Sequence, residues 1–142
     1  MEVNILPIMY EHRIGENNDW GIQLRPILNY RILKCNDGLS QIGGTAVVNK
    51  YFLNVFEESF WLKLQLDIYS TYAYNRLDKI QTMTLGIEPG VFMRISNTFS
   101  MSVNLQPGIN YYPDTFSQEF VKADNGFKGH FGVIFHVGYN FE

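Results

Sequence analysis

Three histidines carry the acid–base capacity of this sequence: His12, His130 and His136. A hydrolase acting on lipid needs such a group beside a serine nucleophile. No His-x-Ser pair occurs, and no Gly-x-Ser-x-Gly elbow. His130 and His136 are six residues apart, which on one strand is about 20 Å, too far to share a metal. Both are therefore expected to hydrogen-bond within the protein. Cys35 is the only cysteine, so there is no internal disulfide and no Cys-based zinc site. No catalytic, cofactor or metal residue is assigned: the expectation is a protein that is not an enzyme and has no cofactor.

The elements that would position these groups are strands. "FGVIFHVGYNFE", Phe131 to Glu142, alternates apolar or aromatic residues with small or polar ones, a period of two. Trp20 to Ile32 sets Trp20, Ile22, Leu24, Pro26, Leu28, Tyr30 and Ile32 against Gln23, Arg25, Asn29 and Arg31. Leu62, Leu64, Leu66 and Ile68 oppose Lys63, Gln65 and Asp67; Met83, Leu85 and Ile87 oppose Thr84 and Glu88. Phe99, Met101, Val103 and Leu105 oppose Ser100, Ser102, Asn104 and Gln106. The stretch from Leu39 to Leu53 has no clear register, and a short helix around "KYFLNVFEE" is one reading of it. Pro113 to Asn125 reads as a polar loop. Residues 1–142 form a single domain without a linker, and no convincing amphipathic helix stands out. "LRPIL", "IEPGV" and "LQPGI" echo one another, and their prolines predict local bulges or bends.

Composition narrows the function. Charged residues are 18% and aromatics 15%, against roughly 25% charged in ordinary soluble domains. Net charge is −3 with no basic stripe, so nucleic acid is not an expected partner. No stretch reaches the ~18 apolar residues of a transmembrane helix. "MEVNIL" lacks a basic start and a long apolar run, so no export signal is expected within this chain.

Which face looks inward decides the rest. The strands run to about a dozen residues, near the length a tilted transmembrane strand needs. Their apolar faces carry no charge in the five clear segments. Gly21, Gly86, Gly90, Gly108, Gly132 and Gly138 fall on the polar face, where a narrow barrel interior is cramped. The apolar face is therefore expected to meet lipid, with Trp20, Phe60, Tyr74, Phe99 and Tyr111 near strand ends as an aromatic girdle. Two alternatives stay open: a soluble calycin-like barrel holding a lipid, and a small outer-membrane channel.

The segments "LGIEPGVFMRISNTFSMSVNLQPGINYY", "ILPIMYEHRI" and "HVGYNFE" resemble those of small bacterial outer-membrane β-barrel proteins, the porin-like "outer membrane protein beta-barrel domain" group. The resemblance implies an all-β fold: an antiparallel up-and-down transmembrane β-barrel of about eight strands. Seven are clear in this chain, and the first is short or missing. It implies a bacterial outer-membrane location, with the lipid bilayer, lipopolysaccharide and the barrel-assembly machinery as partners. It makes Tyr139 and Phe141 the C-terminal assembly signal, although here Glu142 follows the final aromatic. It names no extracellular partner.

Charges on the polar face would then point into a narrow lumen. Glu11, Arg13, Arg25, Arg31, Lys63, Asp67, Glu88, Arg94 and Lys128 are all of this kind. An unpaired buried charge costs several kcal/mol, so opposite charges are expected to pair across the interior and plug it. Arg25 and Glu88 each precede a proline and sit at similar depth. They are expected to anchor a cross-lumen network with Arg31, Lys63, Asp67 and Arg94. The expected role is structural, or surface interaction through extracellular loops.

Overall fold

Alternation of apolar and polar residues gives strands rather than helices throughout this chain. The computed structural model describes residues 2–4, 9–15, 19–31, 38–54, 61–96, 98–122 and 125–139. Its strands are β1 (Glu2–Asn4), β2 (Tyr10–Ile14), β3 (Trp20–Arg31), β4 (Gly38–Asn54), β5 (Trp61–Asn75), β6 (Ile80–Arg94), β7 (Phe99–Tyr111) and β8 (Phe127–Tyr139). From β3 onward each strand pairs antiparallel with the next in sequence. β1 and β2 both pair with β3, Glu2 opposite Arg31 and Ile14 opposite Trp20. They are two pieces of one first strand, so the described sheet is seven antiparallel up-and-down strands.

The sheet curls without closing. Met9, Glu11 and Gln23 share one small cavity with Ser102, His136 and Gly138, so the first and last strands flank a common interior. Among the described residues no ladder joins β8 to β1 or β2. The expected closed barrel of about eight strands is thus an open one of seven. The parity explains the gap: with seven antiparallel strands, the first and the last run in the same direction, and an antiparallel ladder cannot join them directly.

Three local expectations change. The possible helix around residues 50–58 gives way to strand through Asn54, because Val47, Asn49 and Tyr51 keep the inward alternation opposite Tyr69, Asp67 and Gln65; residues 55–60 lie outside the described set. The loop after β7 contains a short helix, α1 (Thr115–Val121), ended by Lys122 in the left-handed region. It is held to β6, where the backbone N–H of Gln81 donates to the Ser117 hydroxyl over 3.4 Å. The prolines make no bulge either. Pro89 and Pro107 fall where the β6–β7 ladder is interrupted, yet the register is the same on both sides, Gly86 opposite Gly108 and Gly90 opposite Asn104. Proline has no N–H to give a ladder, and here that costs hydrogen bonds but not register.

One inward row shows why glycine is needed. Tyr69, Gly86 and Gly108 stand opposite one another on β5, β6 and β7. Tyr69 is 1% exposed, and its ring lies across the two glycines. A Cβ on Gly86 would stand 2.3 Å from the Pro107 carbonyl oxygen and 2.6 Å from the Tyr69 ring. Gly86→Ala is therefore expected to cost about 1–3 kcal/mol through overpacking. Gly129, around which a Cβ would meet nothing within 4 Å, should tolerate alanine to within about 0.5 kcal/mol. Urea unfolding midpoints in detergent compare the two.

Candidate functional site

The distribution of side chains is the reverse of a water-soluble core. Asn49, Asp67, Glu88 and Asn104 are fully buried, each at 0% exposure. Leu64, Leu66, Leu85, Val103 and Phe135 on the opposite face are exposed, from 41% for Val103 to 64% for Leu85.

The interior is a hydrogen-bonded layer of charge. Arg25 on β3 donates from Nη1 to both carboxylate oxygens of Glu88 on β6, at 3.0 and 2.9 Å. Its Nε and Nη2 donate to Gln23 Oε1 at 3.1 and 2.7 Å. Asp67, directly opposite Glu88 in the β5–β6 register, has its Oδ2 3.9 Å from Arg25 Nη2 and accepts from Gln65 Nε2. Glu11 on β2 takes bonds from Arg13 (2.9 Å), Gln23 (3.1 Å) and the Tyr51 hydroxyl (2.9 Å). Gln106 on β7 reaches Glu88 at 3.4 Å and meets His130 on β8 at 3.4 Å. One chain of polar contacts thus crosses the interior from β2 to β8.

Arg25, Asp67 and Glu88 come together. Lys63 has its Nζ 5.9 Å from the centre of the Tyr51 ring, whose hydroxyl bonds Glu11. Arg94 donates to the Ser96 carbonyl oxygen at 3.2 Å. Both lie near strand ends. Arg31 ends β3, and its side chain lies outside the described set. Phe141 also lies outside it. Tyr139 is exposed and packs edge-on to Phe99, with ring centres 5.6 Å apart. His136 Nδ1 lies 3.1 Å from the Ser102 hydroxyl.

The layer divides the interior. On one side Tyr51 and Phe92 meet edge-on at 5.3 Å, with the Arg13 guanidinium over both rings at 4.7 and 5.1 Å; the cavity left there is only about 10 Å³. On the other side, beneath the turn at residues 76–79 and α1, lies a cavity of about 540 Å³ reaching Thr82, Asn110, Tyr112 and His130.

The outer face has its own order. Tyr111 and Phe127 pair at 5.0 Å at one end of β7–β8, and Phe99 and Tyr139 at the other. Lys50 is the outward charge that the unclear register of β4 concealed. It lies 4.6 Å from the Trp20 ring and pairs with Asp19. The ammonium beside Asp19 holds its carboxyl below the usual carboxylate range.

Sequence reasoning placed Glu11 and Gln23 on the inward face but did not link them, or Tyr51, to the centre. Their signal was position: each is an inward residue within two places of another interior polar residue. No family model, curated protein or solved structure matches the chain.

Proposed function

We propose that this chain is an integral outer-membrane protein, its apolar face in lipid and its polar interior blocked. Its role is structural or surface interaction rather than catalysis. The observation that carries the reading is the inversion: charged and amide side chains at 0% exposure inside, apolar side chains exposed all round. In lipid no water is present to satisfy polar groups, so they belong inside; Arg25 bonds Gln23 and Glu88 there, while among the described residues both polar side-chain atoms of Asn104 have no hydrogen-bond partner.

Dimensions support it. From Phe99 to Tyr111 β7 has 13 residues, about 40 Å of strand. Tilted by roughly 45°, that gives about 28 Å, close to the ~25 Å apolar band of an outer-membrane barrel. Aromatic pairs stand at both ends of this span, and the Trp20–Lys50 contact lies at one of them, as interfacial side chains do. A calycin-like lipid carrier calls for the opposite distribution, an apolar cavity beneath a polar surface. A channel calls for an open path, whereas the Arg25–Glu88–Asp67 layer and the Tyr51–Phe92 contact stand across this one. In an outer membrane, lipopolysaccharide and the assembly machinery would be the partners, the latter reading the C-terminal strand.

Spin labels test the wall. On a Cys35→Ser background, single cysteines at Leu85, Leu105 and Phe135 carry nitroxides in protein reconstituted into phosphatidylcholine vesicles. The labels are expected to collide with dissolved oxygen and to be shielded from an aqueous nickel complex. Free collision with nickel at all three sites would sink the membrane reading.

A further inference from the structure

We propose that the 540 Å³ cavity is a binding cup for a neutral sugar of one or two rings. The volume lies inside the range of about 300–1,000 Å³ typical of small-molecule sites. Arg25 lines the inner end of the cup and is tied there to Glu88, so a molecule entering from the rim near α1 meets the charged layer.

The wall chemistry selects the ligand. Thr45 and Thr71 share one hydrogen bond at 2.7 Å, which leaves one of the two hydroxyl protons free. Thr84 donates to Asn110 at 2.7 Å, and Asn110 donates to the Tyr112 hydroxyl at 3.3 Å, which leaves the tyrosine proton to give. These positions offer donors and acceptors side by side. Ligand hydroxyls, which both give and accept, match such a wall; an anion needs donors alone and a cation acceptors alone. Charge is quiet here as well. Among the described residues Arg25 is the one arginine or lysine of the lining, beside His130 and His136, and its Nε, Nη1 and Nη2 are already engaged by Gln23 and Glu88. Ile27, Ala73, Ile134 and the Tyr69 ring supply apolar patches between the polar groups, suited to the C–H faces of a sugar ring.

The proposal deepens the surface-interaction reading above and rests on it only for which rim faces outward. Saturation-transfer NMR on the detergent-solubilised protein tests it with glucose, maltose and glucuronate as probes. Transfer to glucose or maltose, and weaker transfer to glucuronate, is the expected result. Ile134→Trp fills the cup without removing a hydrogen bond and should weaken sugar binding by roughly tenfold or more. Asn110→Ala should weaken it by about fivefold and carries the test if the tryptophan variant fails to fold. No transfer to either neutral sugar, glucuronate bound as well as glucose, or binding unchanged in the variants would each overturn the proposal. The spin-label pattern concerns the outer wall alone. A sugar-binding protein whose labels meet nickel would lose the membrane reading and keep the cup.

Discussion

Arg25→Met is expected to lower the unfolding free energy by about 3–5 kcal/mol, the cost of leaving a buried ion pair without one partner. The side chain is nearly covered, at 10% exposure, and the carboxylates it serves are wholly so. Methionine keeps the bulk of the stem but leaves Glu88 and Asp67 facing each other across adjacent strands without a cation. Glu88→Gln should cost less. It removes one carboxylate from a layer that holds two for a single guanidinium, and Arg25 keeps Asp67 at 3.9 Å. Urea unfolding in detergent, followed by tryptophan fluorescence, ranks the two against Met83→Leu on the outer face. A loss with Arg25→Met no larger than that control would show that the pair contributes little and that water reaches the layer.

Ile87→Arg separates a lipid-facing wall from a water-facing one. Ile87 is 48% exposed at the middle of β6, opposite Ile68 on β5. A surface substitution in water would change stability by about 0.5 kcal/mol or less. An arginine at the midplane of a bilayer costs roughly 2–4 kcal/mol on a barrel wall, falling towards zero at the interfaces. Leu77→Arg is the internal control, since Leu77 is exposed in the turn at residues 76–79, beyond the strand ends. Folding free energies in vesicles should therefore differ by about 2 kcal/mol or more between the two variants. Equal, small effects would place Ile87 in water.

The period of two was enough to read the faces: every second residue from Leu62 to Ile68 or from Phe99 to Leu105 points the same way, and one-residue slips would invert them all. It also located Arg25 and Glu88 at one depth, because inward position and distance from a turn fix a side chain in a curled sheet. What it could not supply was direction of reach. Lys63 and Arg94 are inward charges by pattern, and nothing in that pattern shows that one lies over the Tyr51 ring and the other donates to the Ser96 carbonyl. Amides such as Gln23 and Gln106 look like any polar residue until a carboxylate stands beside them. Lys50 was hidden because β4 mixes Val47 and Val48 with Gly43 and Gly44, and a run of that kind has no clear alternation.

Among the described residues the two edges of the sheet carry no further ladder and run the same way, and on the membrane reading this has a consequence for symmetry. Copies inserted in one sense in a membrane are related by rotation about its normal, an operation that leaves up and down unchanged. Such copies can offer each other only like-directed edges, and therefore only a parallel ladder, the slightly weaker kind of pairing. The antiparallel ladder that suits either edge must come from a strand crossing in the opposite sense. An exposed edge ordinarily invites its own copies to join it; here the odd number of strands works against that self-recognition, and it does so by topology rather than by any side chain.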